Sequence, residues 1–259
     1  MALNHAEMLS RTIIGIIGNV VSFVLFLSPV PTFFKVVKWR STRGFSGVPY
    51  VVMLMNSTLW IFYGLPVAVS HNILVSTING IGAVLELIYI SIFLIYANSR
   101  ERRKITLLLL AVLSIFTIVV VCNMFLVDAM PRRAEIVGSL CIVAGIGMYA
   151  APLTIMGNVI KSKSVKYMPL ALSSAYFING LCWCTYACIG LDIFLLIANG
   201  AGALLGASQL LLYAIYYGGI HPEDREKAKQ DGHELEKITV QETKERSGDA
   251  ERRNGKDNY

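Results

Sequence analysis

NGIGAVL at Asn79–Leu85 and NGAGALL at Asn199–Leu205 are two copies of one pattern, Asn-Gly-x-Gly-Ala-x-Leu, set 120 residues apart and each embedded in a long apolar run. Self-similarity at a fixed spacing is the mark of a duplicated structural unit. Working outward from the motif, the likeness widens. Asn56, Trp60 and Tyr63 of NSTLWIFY stand 123 residues before Asn179, Trp183 and Tyr186 of NGLCWCTY, and Pro29 stands 123 before Pro152. The step from 123 to 120 places a loop three residues shorter in the second copy.

The runs around these motifs belong in a bilayer. The chain has 259 residues, 55% of them hydrophobic and 15% charged, with a mean hydropathy of +0.58; soluble domains carry roughly 25% charged residues. A membrane-crossing helix needs about 20 mostly apolar residues. That rule finds seven spans, near 11–34, 46–66, 73–97, 105–127, 135–159, 168–189 and 193–217. An odd number puts the two termini on opposite sides. The first, third and fifth loops hold Lys35, Lys38, Arg40, Arg43, Arg100, Arg102, Arg103, Lys104, Lys161, Lys163 and Lys166, whereas the other side holds only Arg11, Arg132 and Arg133. By the positive-inside rule the N-terminus is extracytosolic and the C-terminus cytosolic. The same distribution excludes a nucleic-acid face, which needs continuous basic surface rather than clusters between apolar runs.

The duplicated blocks are spans 1–3 and 5–7, so matching helices lie four spans apart and cross in the same direction. This is a parallel repeat: an all-α membrane protein of two three-helix bundles joined by a linker helix. The units read as 9–98, 99–130 for the linker and 131–218, followed by 219–259, which is dense in both charges and expected as a disordered cytosolic tail. Span 4 is uniformly rich in Leu, Ile and Val, as suits a lipid-facing connector. The repeated spans collect Gly, Pro, Asn and Trp, which are costly in lipid unless they pack on protein or line a cavity. Two related bundles around a shared cavity is a transporter pattern.

Seven motifs in order carry a more specific likeness: IIGNVVSF, LSPVPTFFKV, STRGFSGVPYV, LWIFYG, STINGIGAVLELIYI, YAAPLTIMGNVIKSKSVKYMP and ANGAGALLGASQLLLY. Over residues 9–218 the chain closely resembles the plant SWEET sugar facilitators, built of two MtN3/saliva repeats. The resemblance implies a bidirectional, energy-independent uniporter moving monosaccharides such as glucose by alternating access, without a cofactor or metal, and assembling as a homo-oligomer, plausibly a trimer, in the plasma or vacuolar membrane. It implies a sugar held between Asn79 and Asn199, walled by Trp60 and Trp183, in a pocket whose size is shaped by Leu25, Met148, Asn56 and Asn179. Tyr63 and Asp192 match an outer gate, and Pro29, Pro49, Pro152 and Pro169 match a set of four proline hinges. One departure concerns Ala198, where the family commonly has proline; local unwinding at Asn199 is in question.

The chemistry suits these roles. A side-chain amide offers donors and an acceptor to hydroxyls without a charge, and an indole face covers the C–H face of a pyranose. Each residue also has a plainer reading: asparagine as interhelical glue, tryptophan as an interfacial belt, proline as a static kink, Asp192 as the N-cap of span 7. A proton-coupled carrier needs an ionisable group in the pathway. No histidine falls in mid-span, and Glu86, seven residues beyond Asn79 on the same helical face, is the one carboxylate well inside a repeated span. A proton-coupled carrier, a related PQ-loop carrier of amino acids and a seven-helix receptor are the alternatives; a receptor gives no reason for the repeat, and the neutral amides and indoles do not suit a zwitterion. No catalytic constellation appears, so an enzyme is not expected. The five cysteines all lie in apolar stretches and read as small packing residues. The N-terminal run lacks a basic leader region and is kept as the first span.

Overall fold

A computed structural model describes residues 4–68, 72–166 and 168–217. The expected tail, 219–259, and His71, His221 and His233 lie outside them. The described residues form nine helices and no strand: α1 (His5–Leu27), α2 (Val30–Trp39), α3 (Val48–Gly64), α4 (Ile73–Tyr96), α5 (Ser99–Leu126), α6 (Met130–Met148), α7 (Ala150–Ser162), α8 (Leu170–Gly190) and α9 (Ile193–Tyr216). The nine make seven crossings, because α1–α2 and α6–α7 are each one long rod interrupted near its middle.

The interruptions follow from proline. Pro29 and Pro152 have no N–H to give to the carbonyls of Leu25 and Met148, four residues back. The preceding turn tightens instead: Ser28 N–H donates to the Leu25 carbonyl at 3.0 Å, and Tyr149 N–H to that of Ile146 at 3.1 Å. The rods also end alike. Arg40 and Lys163, 123 residues apart, close α2 and α7 in the left-handed conformation, with φ of 48° and 55°, a common helix ending. Five of the seven crossings are long and apolar enough to be recognised on those grounds. The other two are α3, at 17 residues, and α8, which carries Ser173, Ser174, Asn179 and Thr185.

In each bundle the third crossing sits between the other two: α4 packs on α3 and α1, and α9 on α8 and α6. The glycines and alanines of the two quoted motifs make this possible. A Cβ on Gly82 would collide with the Phe26 ring, and one on Gly202 would lie 3.2 Å from the Tyr149 hydroxyl oxygen, Phe26 and Tyr149 being equivalent residues beside the two breaks. Ala203 lies so close to α8 that a Cβ on Gly180 would come within 2.8 Å of its backbone nitrogen. Small residues at such approaches are how helices pack tightly without a hydrophobic driving force.

Two seams join the bundles, α1 against α8 and α3 against α6. The linker α5 lies mainly against α3 and turns Leu107, Leu110, Ile118 and Phe125 outward. It begins at Ser99 rather than near 105: Asn98 caps it by accepting from the Glu101 N–H at 2.9 Å, so Arg100–Lys104 ride on helix instead of loop. Arg102 then reaches back to donate to the carbonyls of Leu94, Ile95 and Ala97, closing the end of α4.

Candidate functional site

Asn79 and Asn199 occupy equivalent places on α4 and α9 and make equivalent bonds. Each donates a side-chain N–H to the carbonyl four residues back, Asn79 to Val75 at 2.8 Å and Asn199 to Leu195 at 2.9 Å. Both are half-buried, and among the described residues neither makes another hydrogen bond. One donor and the carbonyl oxygen of each amide therefore stay available. α9 runs unbroken through Ala198, whose carbonyl accepts from the Tyr149 hydroxyl at 2.7 Å, so alanine before Asn199 produces no unwinding.

Trp60 and Trp183 are buried in one apolar cluster that spans both bundles and also contains Leu59, Cys141 and Ala187. Each meets its own tyrosine edge-on, Trp60 on Tyr63 and Trp183 on Tyr186, with ring centroids 5.3 Å apart in both pairs. Leu25 and Met148, each four residues before the proline of its break, are half-buried. Asn179 accepts from the Ser22 hydroxyl at 2.6 Å, and Ser22 in turn accepts from the Trp183 indole N–H at 3.0 Å. Asn56 is buried and its Oδ1 has no partner.

Toward the end of the molecule that carries the N-terminus the bundles are latched. Asp192 accepts at one carboxylate oxygen from the Tyr63 hydroxyl (2.7 Å) and the Leu195 N–H (3.0 Å), and at the other from the Asn72 amide (2.7 Å). The Tyr63–Asp192 contact and the N-cap of α9 are thus one arrangement. Arg11 donates to Asn72 Oδ1, so the Asn72 amide stands between a cation and an anion, accepting from one and donating to the other. The guanidinium lies 4.2 Å from the Tyr186 ring centroid and against the end of α8, where a Cβ on Gly190 would meet it at 2.6 Å. Both the aromatic face and the carbonyl end of a helix favour a cation.

Among the described residues, four side-chain hydrogen bonds cross between the bundles: Ser22–Asn179, Trp183–Ser22, Tyr63–Asp192 and Asn72–Asp192. All lie between mid-depth and the N-terminal mouth. Toward the other mouth, packing runs within bundles: Phe33, Val51 and Phe93 pack in the first, Val159, Val165 and Met168 in the second.

The comparisons with known proteins meet this geometry directly. Residues 12–101 and 135–219 match the MtN3/saliva family, described as "Sugar efflux transporter for intercellular exchange". The chain belongs to the SWEET family. It is 48% identical over 220 residues to the bidirectional sugar transporter SWEET7b of Oryza sativa subsp. japonica, covering 85% of this chain and 82% of that one. It is 45% identical over 221 residues to SWEET5 of Arabidopsis thaliana, covering 85% and 92%. A solved eukaryotic SWEET transporter superposes with a TM-score of 0.80 at 41% identity, over 82% of this chain and 99% of the other. This SWEET is accordingly a multi-pass membrane protein of a sugar-transporting family.

The four prolines of the expected hinge set fall at two kinds of position. Pro29 and Pro152 border the breaks in α1–α2 and α6–α7, but Pro49 is the second residue of α3 and Pro169 the N-cap of α8. In a first turn there is no helical hydrogen bond for proline to remove, so neither bends its helix. Three residues of this arrangement escaped the sequence reading. Arg11 reads as a flanking charge, yet lies inside α1 and reaches into the latch. Asn72 had an available signal, being 120 residues before Asp192, the offset of the quoted motif. Ser22 had none, since its equivalent position holds Gly145.

Proposed function

We propose that this SWEET is a bidirectional, energy-independent uniporter of monosaccharides such as glucose, working by alternating access of the two repeats, 9–98 and 131–218, about the linker 99–130. Asn79 and Asn199 hold sugar hydroxyls, Trp60 and Trp183 wall the ring, and Leu25, Met148, Asn56 and Asn179 set the width of the pocket. The supporting observation is the paired bonding of Asn79 and Asn199, each spending one N–H on its own helix and keeping a donor and an acceptor for a neutral, hydroxyl-rich substrate.

With the N-terminus extracytosolic, the latched mouth is the external one and the structure corresponds to an inward-facing form. Sugar enters from the cytosolic mouth. The bundles then rock about the breaks at Pro29 and Pro152, the inner ends close, and the Tyr63–Asp192 and Asn72–Asp192 bonds open outward. The protein works in the plasma or vacuolar membrane as a homo-oligomer such as a trimer.

One observation favours proton coupling as a second reading: Glu86 on α4 is 3% exposed and its Oε2 has no partner, a costly state for an ionised carboxylate. Counterflow of labelled glucose into proteoliposomes without pH or voltage gradients separates the two. Wild-type accumulation, lost in Asn79→Ala and Asn199→Ala variants of normal stability, supports the uniporter. Uptake that requires a proton gradient and is lost in Glu86→Gln overturns it in favour of coupling.

A further inference from the structure

The two breaks match in sequence but not in what surrounds them. At the first, Tyr89 of α4 touches the rod on both sides of Pro29. Its hydroxyl donates to the Phe26 carbonyl, in the last turn of α1, at 2.9 Å. Its ring stacks on Phe33 of α2, with centroids 4.7 Å apart and planes 11° from parallel, and Tyr50 of α3 meets Phe33 edge-on at 4.8 Å. Phe33 and Tyr89 are both buried. A hydrogen bond holds over a narrow range of distance and angle, and rings in a close-packed interior have little room to shift. One side chain thus fixes the α1 half of the rod, the α2 half and the angle between them.

The second break is built otherwise. The residues equivalent to Phe33, Tyr50 and Tyr89 are Met156, Ser173 and Gln209. Gln209 is buried but makes no hydrogen bond among the described residues, and an unbranched methionine adapts where a ring does not. Tyr149 ties this break to α9 through the Ala198 carbonyl, but it stands in the turn itself, so it anchors the elbow without setting its angle. Around the turn, a Cβ on Gly145, Gly147 or Gly157 would meet nothing within 4 Å.

We propose that Tyr89 is a brace that holds the bend at Pro29, so that bending between the two forms of the carrier falls mainly on the Pro152 break. The inference rests on the alternating-access reading and adds which of the two equivalent breaks gives. Matching prolines therefore make one rigid elbow and one compliant elbow.

The test measures both elbows by spin-label distances in lipid nanodiscs, with the native cysteines replaced. Labels at Ile13 and Val37 straddle the first break, and labels at the equivalent Ile136 and Ile160 straddle the second; all four positions are exposed. Asp192→Ala, which removes the latch and populates the outward-open form, is compared with the latched protein. The 136–160 distance is expected to gain a second population in Asp192→Ala while the 13–37 distance keeps one. Adding Tyr89→Phe, which removes the hydroxyl, or Phe33→Leu, which removes the stack, enlarges a second 13–37 population about fivefold, as loss of one ordinary hydrogen bond or ring pair allows. The inference is overturned if the 13–37 distance changes as much as the 136–160 distance with Tyr89 intact, if both added substitutions leave it unmoved, or if neither distance responds to Asp192→Ala. In glucose counterflow, Tyr89→Phe is expected to change the maximal rate and leave KM unchanged; a raised KM at an unchanged rate assigns Tyr89 to binding and overturns the brace. Absence of glucose counterflow by wild type defeats the carrier reading, while the distances, read without sugar, judge the brace separately.

Discussion

Along α1 the seam with α8 is marked by Arg11, Gly15, Gly18 and Ser22; at the same register along α6 stand Ala134, Gly138, Cys141 and Gly145. The first series places a cation over Tyr186, brings Gly18 close under Trp183 and donates a hydroxyl to Asn179. The second contributes Cys141, fully buried in the shared apolar cluster with Trp60, and no hydrogen bond joins α6 to α3 among the described residues. Duplication has left the two seams alike in shape and unlike in chemistry. Apolar surfaces slide at little cost, since non-directional contacts are exchanged gradually, whereas a hydrogen bond holds over a narrow range of distance and angle. The α1–α8 seam is therefore the more directionally bonded of the two, and the α3–α6 seam is held by apolar packing.

The largest disturbance comes from removing the group that joins the two bundles at the mouth. Asp192→Ala deletes the acceptor of three hydrogen bonds, and a bond to a charged group contributes about 1.5–3 kcal/mol. In a background with the other four cysteines replaced, labelling of buried Cys141 by an impermeant maleimide is expected to accelerate more than tenfold; an unchanged rate would show that the mouth is held by packing instead. A middle-sized effect should follow from writing one seam's residue into the other. Gly18→Cys sets a side chain against Trp183, where even the Cβ lies 3.2 Å from the indole, and overpacking of this kind costs about 1–3 kcal/mol. Thermal unfolding in detergent should show a clear loss of stability, larger than for Cys141→Ala on the looser seam; equal losses would remove the contrast between them. The smallest effect belongs to Ser22→Ala, which leaves Asn179 without its donor, as Asn56 is already. At about 1 kcal/mol, a roughly fivefold rise in the same Cys141 labelling is expected, and no rise would mean that the serine adds nothing to the hold.

The sequence carried much of this organisation openly. Hydropathy located the crossings to within a few residues, because a span's length is dictated by bilayer thickness. The ends were less legible: α5 starts six residues early because Asn98 caps it, and a cap outweighs the charge run that reads as loop. Resemblance paired Tyr63 with Asp192, and the structure holds them 2.7 Å apart. The same reasoning missed Arg11, since a lone arginine ahead of an apolar run looks like a flank, and only a glycine at position 190 with an aromatic at 186 gives it a seat. The four prolines look alike in sequence, and only the structure separates Pro29 and Pro152 beside breaks from Pro49 and Pro169 at helix starts.

Span number, duplication and the direction of the repeats were written in the linear pattern, because burial in lipid and internal likeness are properties of consecutive residues. Which amide finds a partner was not. Asn56 and Asn179 occupy matching positions in matching motifs, and their difference arises from Ser22 and Gly145, residues of distant segments that approach only when α1 meets α8 and α6 meets α3. Hydrogen bonds act over about 3 Å, so their pairing depends on how the bundles dock.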